Sequence, residues 1–306
     1  MRMSISAYQF FTQARLQGKR SADQFARKTN KLHSCALLVK RSIANVLFLF
    51  ATIVFPCLTT SAQQPFVTDD ADVTPKRKFH FEFSNEIDWL NSNAFPSLKQ
   101  NTADFELDYG LLDGVEIGVE VPFLTISNDR ATTPRRPSGI GDANISLKYN
   151  FLTEREGLRR PALAIALNLE LPTGDKNRLL GSGLADFYMN GVVQKSVTSK
   201  TKIRLNGGIL FSGNETTGVI GIKTRGTVFT GGGSVVRNFG PKLDLGVELV
   251  GAMTKSFNLG KSQLQTMVGG NYSLRDNVTF DFGIVAGKYA ASPRAGLQLG
   301  ISIDLH

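Results

Sequence analysis

The chain has 306 residues, two cysteines and a formal charge of +9, but the charge is lopsided. Residues 1–62 carry nine Lys/Arg and a single acid, Asp23, whereas the 26 bases and 25 acids that follow nearly cancel. A near-neutral body gives no electrostatic reason for a nucleic-acid partner. Confinement of Cys35 and Cys57 to the first 62 residues excludes a disulfide or thiolate metal site in the remainder.

Lys40-Arg41, the apolar run Ile43–Leu58 and the small residues Thr59-Thr60-Ser61-Ala62 have the order of a secretory signal peptide, with cleavage expected after Ala62. A membrane anchor would need roughly 20 apolar residues, and Pro56 interrupts this run. Val54-Phe55-Pro56 is a poor approach to a lipidated Cys57. An ordinary signal peptide would begin near Val39, so translation starts either at Met1 or close to that position. The expected organisation is an extension and removed signal peptide over 1–62, a polar lead-in or plug over 63–77, and a β domain over 78–306.

Gln64 to Lys76 shows no periodicity. Phe79, Phe81, Phe83, Ile87 and Trp89 then alternate with His80, Glu82, Glu86 and Asp88. The hairpin Ala103–Phe123 follows and repeats the pattern twice about a Leu112-Asp113-Gly114 turn. Period-two alternation of this kind predicts strands with one wholly apolar and one polar face. Ser127–Gly139 reads as a loop. Further strands are predicted at Asp142–Phe151, Leu163–Leu171, Leu184–Lys195 (face unassigned), Ile203–Phe211, Thr227–Phe239, Leu243–Leu249, Gln263–Leu274, Val278–Ile284 and Leu297–His306. Gly231-Gly232-Gly233 marks a bulge or a close backbone approach. It is not a nucleotide loop, because no helix or Lys-Ser/Thr follows.

Twelve strands of about 9–11 residues, with short connections after even strands and long polar loops after odd ones, match a transmembrane barrel. The prediction is all-β: one antiparallel barrel in the outer membrane, both termini periplasmic, with membrane lipid, lipopolysaccharide and the barrel-assembly machinery as partners. Aromatic girdles are expected at Phe79, Tyr109, Tyr149, Phe151, Phe239 and Tyr272 at one end, and at Trp89, Phe123, Phe211, Phe229 and Tyr289 at the other. The alternative is a secreted β-sandwich, for which no helix or second layer is evident. The ending Asp304-Leu305-His306 lacks the terminal aromatic residue usual in such barrels.

The polar faces are acid-rich. Candidate lumen-lining residues are Glu82, Glu86, Asp88, Asp104, Glu106, Asp108, Glu116, Glu120, Lys148, Glu170, Arg204 and Glu248. Further acids are placed there at Asp142, Asp244, Asp281 and Asp304, with Lys202 and Arg237 as further bases. Charged rings in a narrow passage set ion preference, here for cations; the alternative is that they hydrogen-bond across a filled interior. Asp69, Asp70 and Asp72 are weak metal candidates; solvation or plugging is the alternative, and no metal or cofactor is expected. His80 beside Glu82 reads as structural. An outer-membrane hydrolase would need a serine within reach of a base, and after residue 62 the only histidines are His80 and His306. No enzyme is therefore expected. Arg130, Arg135 and Arg136 offer phosphate-binding charge on a loop, which leaves an adhesive or structural barrel as a further alternative.

Gln64-Pro65-Phe66-Val67-Thr68-Asp69-Asp70, Gly139-Ile140-Gly141-Asp142 with Leu147-Lys148-Tyr149-Asn150-Phe151, and Leu171-Pro172-Thr173-Gly174-Asp175 with Gly181-Ser182-Gly183 occur in that order. In these segments the chain, from about residue 64 onward, resembles the family called MetA-pathway of phenol degradation. Its members are described as outer-membrane transporters. The resemblance implies passage of small organic solutes, aromatic compounds among them, and assigns no ligand-binding residues.

Overall fold

The computed structural model describes residues 64–90, 98–128, 137–155, 160–178, 180–212, 226–254, 263–289 and 292–305. The signal-peptide region, the loop arginines Arg130, Arg135 and Arg136, and His306 lie outside them. The strands are β1 (Phe79–Leu90), β2 (Leu98–Leu112), β3 (Val115–Asn128), β4 (Ser138–Ile140), β5 (Ala143–Leu152), β6 (Ala162–Leu171), β7 (Asp186–Thr198), β8 (Thr201–Ser212), β9 (Gly226–Asn238), β10 (Leu243–Thr254), β11 (Gln263–Arg275), β12 (Val278–Gly287) and β13 (Pro293–Leu305). Neighbours pair antiparallel in chain order, and β1 pairs β13 from Phe79↔Leu305 to Ile87↔Leu297. The sheet has no free edge: it is a closed barrel.

The short β4 is the detached tip of β5, so the barrel has the twelve staves expected from the sequence. Pro122 in β3 has no N–H to offer the ladder. Its carbonyl instead accepts from the Gly141 N–H at 2.8 Å, and pairing resumes as Phe123↔Ile140 on one side and Glu120↔Asn144 on the other.

The two faces are inverted relative to a soluble protein. Val268 and Ile284 point outward, 61% and 64% exposed, whereas Glu248 and Asp281 face inward at 1% each. A continuous apolar exterior of this extent is covered by lipid, and closure leaves no unpaired backbone edge in it. Several aromatic pairs lie near the strand ends and include residues expected in the girdles, whereas Phe83 and Phe105 pair at 5.0 Å in mid-strand. At the tight-turn end, the Phe79 and Tyr109 ring centroids are 4.7 Å apart and those of Tyr149 and Phe151 are 6.1 Å apart; at the loop end, Phe187 and Phe211 are 6.3 Å apart.

Several local expectations change. The hairpin arms are longer than the alternating core, and strand structure takes both ends of the predicted Ser127–Gly139 loop, as the end of β3 and as β4. The glycine run in β9 produces no register shift; it is the close approach, since a Cβ on Gly232 would sit 2.5 Å from Val250 Cγ1. The face of β7 is settled, with Phe187, Met189 and Val193 outward and Asp186, Asn190 and Gln194 inward. Arg237 is a correction: it shares the outward parity of Val235, and its guanidinium lies 5.7 Å from the Phe239 ring centroid. Being near the strand end, it places its charge at the interface beside an aromatic ring rather than in the lumen.

Val268→Arg, in the middle of β11 and facing outward, is expected to cost about 2–4 kcal/mol. Equilibrium unfolding in phospholipid vesicles measures it; a loss below about 1 kcal/mol would contradict a lipid-covered exterior.

Candidate functional site

Inside the barrel runs the segment Gln64–Lys76, and four of the candidate lumen residues, Glu116, Lys148, Arg204 and Glu248, meet it directly. Two apolar side chains anchor it. Phe66 is buried against Met267 and Val285 with Val236 alongside, and Ala71 is fully buried among Ala162, Ala164 and Val192. These inward apolar positions form a seat, and the alanines of β6 leave room for a chain to pass.

Polar wall residues hold the rest. Glu248 accepts from the Val67 N–H at 3.2 Å and from both the N–H and hydroxyl of Thr68. Glu116 accepts from the Thr74 N–H at 2.5 Å. Asn150 donates to the Ala71 carbonyl and Asn271 to that of Gln64, while Gln298 donates to the Gln64 side chain. Extended backbone leaves its polar groups unpaired unless neighbours supply partners, and the inward side chains do so.

The tightest contact is ionic. Lys148 Nζ lies 2.9 Å from Asp69 Oδ1 and 3.2 Å from Asp70 Oδ1, and Arg204 Nη2 lies 3.3 Å from Asp70 Oδ2. Lys148, Asp70 and Arg204 are nearly inaccessible, at 5%, 3% and 4% exposure. Gln194 links the Arg204 Nε–H, accepted at 3.3 Å, to Asp72, to which it donates at 3.0 Å; Lys202 Nζ stands 3.9 Å from Asp72. Burial alone would raise the Asp70 carboxyl, but Lys148 and Arg204 outweigh it and hold it below the ordinary aspartate range. Asp69 moves the other way: burial, reinforced by Asp70 and Glu116, outweighs Lys148. The three aspartates considered for a metal are thus turned onto cationic and amide side chains, and no group of three or more metal-type ligands occurs among the described residues.

Adjoining this basic patch, with Glu116 of β3 in register with Lys148 of β5, is an acid wall on β1–β3. Glu82, Glu106 and Glu120 are in direct register across three adjacent strands. Like charges directly opposite one another are destabilising, so this row opposes the stability of the sheet. Asn144 donates to Glu120 at 3.1 Å, and His80 bridges Glu82 at 2.8 Å and Asp304 at 2.6 Å. His80 is therefore a buried partner of two carboxylates. Asp108 and Glu116 lie farther toward the tight turns, while Asp104, Glu86 and Asp88 continue the wall toward the loops. Glu170 faces in from β6, in register with Asn144 and Asp186.

Two cavities flank the segment. One of about 580 Å³, at the tight-turn end, touches residues 70, 72–75 and the Lys148–Arg204 patch; another of about 520 Å³, at the loop end, touches 64, 66–69, Glu106, Glu120 and Tyr188. At the loop end Asp142 gathers three of the short motifs. Its carboxylate accepts from the Gly174 and Ser182 N–H groups at 2.8 and 2.7 Å, and the Thr173 hydroxyl donates to the Gly141 carbonyl at 2.8 Å. Leu180, at 2% exposure, is buried beneath this fold of chain.

Asp70→Asn is expected to weaken docking of the segment by about 3–5 kcal/mol, because it leaves buried cations short of a counter-ion; a nitroxide on Val67→Cys reports this as increased mobility in its spectrum. Asp70 contributes docking energy above the ordinary aspartate pKa and loses it as pH falls through its depressed value, whereas Asp69 is relieved when it takes up a proton. The same label should therefore show docking tighten slightly on mild acidification and loosen only once the pH falls below the ordinary aspartate range, toward the depressed Asp70 value. Asp142→Ala should cost about 1.5–3 kcal/mol per lost charge-assisted bond, read as faster amide exchange at Gly174 and Ser182.

No protein-family profile and no curated protein sequence matches the chain. Among solved structures it is similar to the COG4313 outer membrane channel from Pseudomonas putida F1, with 15% identity and a TM-score of 0.61 over 77% of this chain and 98% of that one. It is also similar to the KdgM porin in complex with disordered oligogalacturonate, with 12% identity and a TM-score of 0.50 over 74% and 99% of the two chains. At these identities the likeness is one of fold: the chain folds as an outer-membrane β-barrel.

Proposed function

We propose that the chain is an outer-membrane channel for passive passage of small solutes, in which residues 64–76 form a displaceable plug. The observation that carries this reading is the filling of the barrel: a single segment held mainly by side-chain hydrogen bonds and ion pairs, with a cavity on each side. Filling meant only to stabilise the barrel would be served by apolar packing, whereas a polar hold can be exchanged for water or solute. The tight-turn end and both termini face the periplasm in this reading, after export by a cleaved signal peptide and insertion by the barrel-assembly machinery. Lipopolysaccharide surrounds the loop end.

The in-register glutamates give the passage a preference for cations, since a low-dielectric wall strengthens their field. Aromatic solutes are the finer assignment, supported by the family resemblance in the motifs around Asp70, Asp142 and Gly174. The motifs do not cluster in the lumen alone, because three of them build the Asp142 clamp. The adhesive reading rests on loop residues outside those described, and no structural observation favours it.

In planar bilayers the protein should conduct with cation preference, and the triple variant E82Q/E106Q/E120Q should move the reversal potential toward zero under a salt gradient. Anion-selective current from the unaltered protein would overturn the electrostatic part of the reading. Liposome swelling with small phenols and sugars tests the passage itself: absence of flux for every solute would remove the channel assignment.

A further inference from the structure

Lys148 and Arg204 stand out in an interior dominated by acids, because both are buried and both are held by carboxylates that do not belong to the wall. The Asp69 and Asp70 carboxylates reach them from the segment, at 2.9–3.3 Å. The wall contributes less on this side: Glu116 lies in register with Lys148, with its Oε2 engaged by the Thr74 N–H, and Gln194 offers Arg204 only an amide oxygen. A buried cation that loses its counter-ion is strongly destabilised. Displacement of the segment therefore takes both aspartates away from the two cations, leaves Glu116 as the wall carboxylate in register with Lys148, and vacates the position of the Asp70 carboxylate between Lys148 and Arg204, opening onto the tight-turn cavity.

We propose that Lys148 and Arg204 form a binding site for the carboxylate group of a small organic solute, and that Asp69-Asp70 occupies this site as an internal substitute until such a solute displaces it. The inference rests on the plug reading above and names the ligand chemistry that competes with the plug. Geometry supports it: Asp70 spans the two cations with its two oxygens, Oδ1 toward Lys148 and Oδ2 toward Arg204 Nη2, the arrangement a free carboxylate reproduces. A neutral or cationic solute lacks the group needed to replace Asp70. Selection by the site is therefore opposite in sign to that of the glutamate row, so an incoming carboxylate is favoured only where it can reach both cations.

The test uses the full chain as D69N/D70N, which keeps the size of the segment and removes its two charges, with sodium benzoate and sodium succinate as probes and benzamide and succinamide as uncharged controls. Calorimetric titration in detergent should show the carboxylates binding D69N/D70N at least tenfold more tightly than the unaltered protein, and the amides not at all. Adding K148Q/R204Q should abolish that binding while unfolding in urea confirms that the barrel remains folded. K148Q/R204Q in the otherwise unaltered chain should free the nitroxide at Val67→Cys without any carboxylate. Equal affinity for carboxylates and amides, or carboxylate binding that survives K148Q/R204Q, overturns the proposal. Planar-bilayer conductance of D69N/D70N judges the plug separately: if current rises but carboxylates do not bind, the plug reading stands and the carboxylate site is lost.

Discussion

Every backbone N–H and C=O in a lipid-covered sheet must find a partner within the protein, and only closure achieves this for strands. Here closure comes from one seam, β1 against β13, in continuous register over most of the length of β1. The alternation in each strand follows from the same constraint. Once the sheet is closed, one face has lipid and the other has a confined interior, so parity assigns each residue to one or the other. Pro122 interrupts the ladder beside Asp142, whose carboxylate is committed to the loop rather than to the lumen.

The interior that closure creates is electrically divided. Acids on β1–β3 stand in register, against the rule that favours opposite charges across strands, while Lys148 and Arg204 lie on β5 and β8. A filled barrel selected for stability alone would interleave these signs. The two sets meet in direct register only at Glu116 and Lys148 among the described strands, and the segment supplies its own aspartates to the basic side and backbone donors to Glu116 and Glu248. The segment thus matches the polarity of each wall it passes, which explains how a stretch without secondary structure lies in one place.

The barrel was legible in the sequence because period two is a local signal, and each strand states it independently. The lumen acids were legible for the same reason: parity alone placed Glu82, Glu106 and Glu120 inward. What parity cannot give is which strand stands opposite which segment, so the pairing of Lys148 with Asp69 and Asp70, 79 and 78 residues away, was not visible. One signal went unused. Ala162, Ala164, Val192 and Val285 are small or apolar at inward positions, where a water-filled passage calls for polar groups, and they form the seat of Phe66 and Ala71. Arg237 was misplaced because the preceding glycines carry no face information, so polarity was read where only register could decide. The resemblance motifs around Gly139, Leu171 and Gly181 are separate strings in the sequence, and the structure unites them through one carboxylate.

A plug held in this way sets limits on what can move it. Phe66 and Ala71 add apolar burial worth a few kcal/mol at most, and the buried ion pairs contribute little beyond the cost of desolvating their charges. Docking is therefore modest in net free energy although the removal of a single partner is costly. A solute shifts such an equilibrium only through its differential affinity for the open state, and carrying it from 1:99 to 99:1 takes about 5.5 kcal/mol. A solute that merely fits the cavities offers equal contact in both states and moves nothing. A group that replaces the contacts the segment gives up, above all those of Asp70, draws its advantage from the open state alone, and so chemical likeness to the plug, rather than size, determines which molecules displace it.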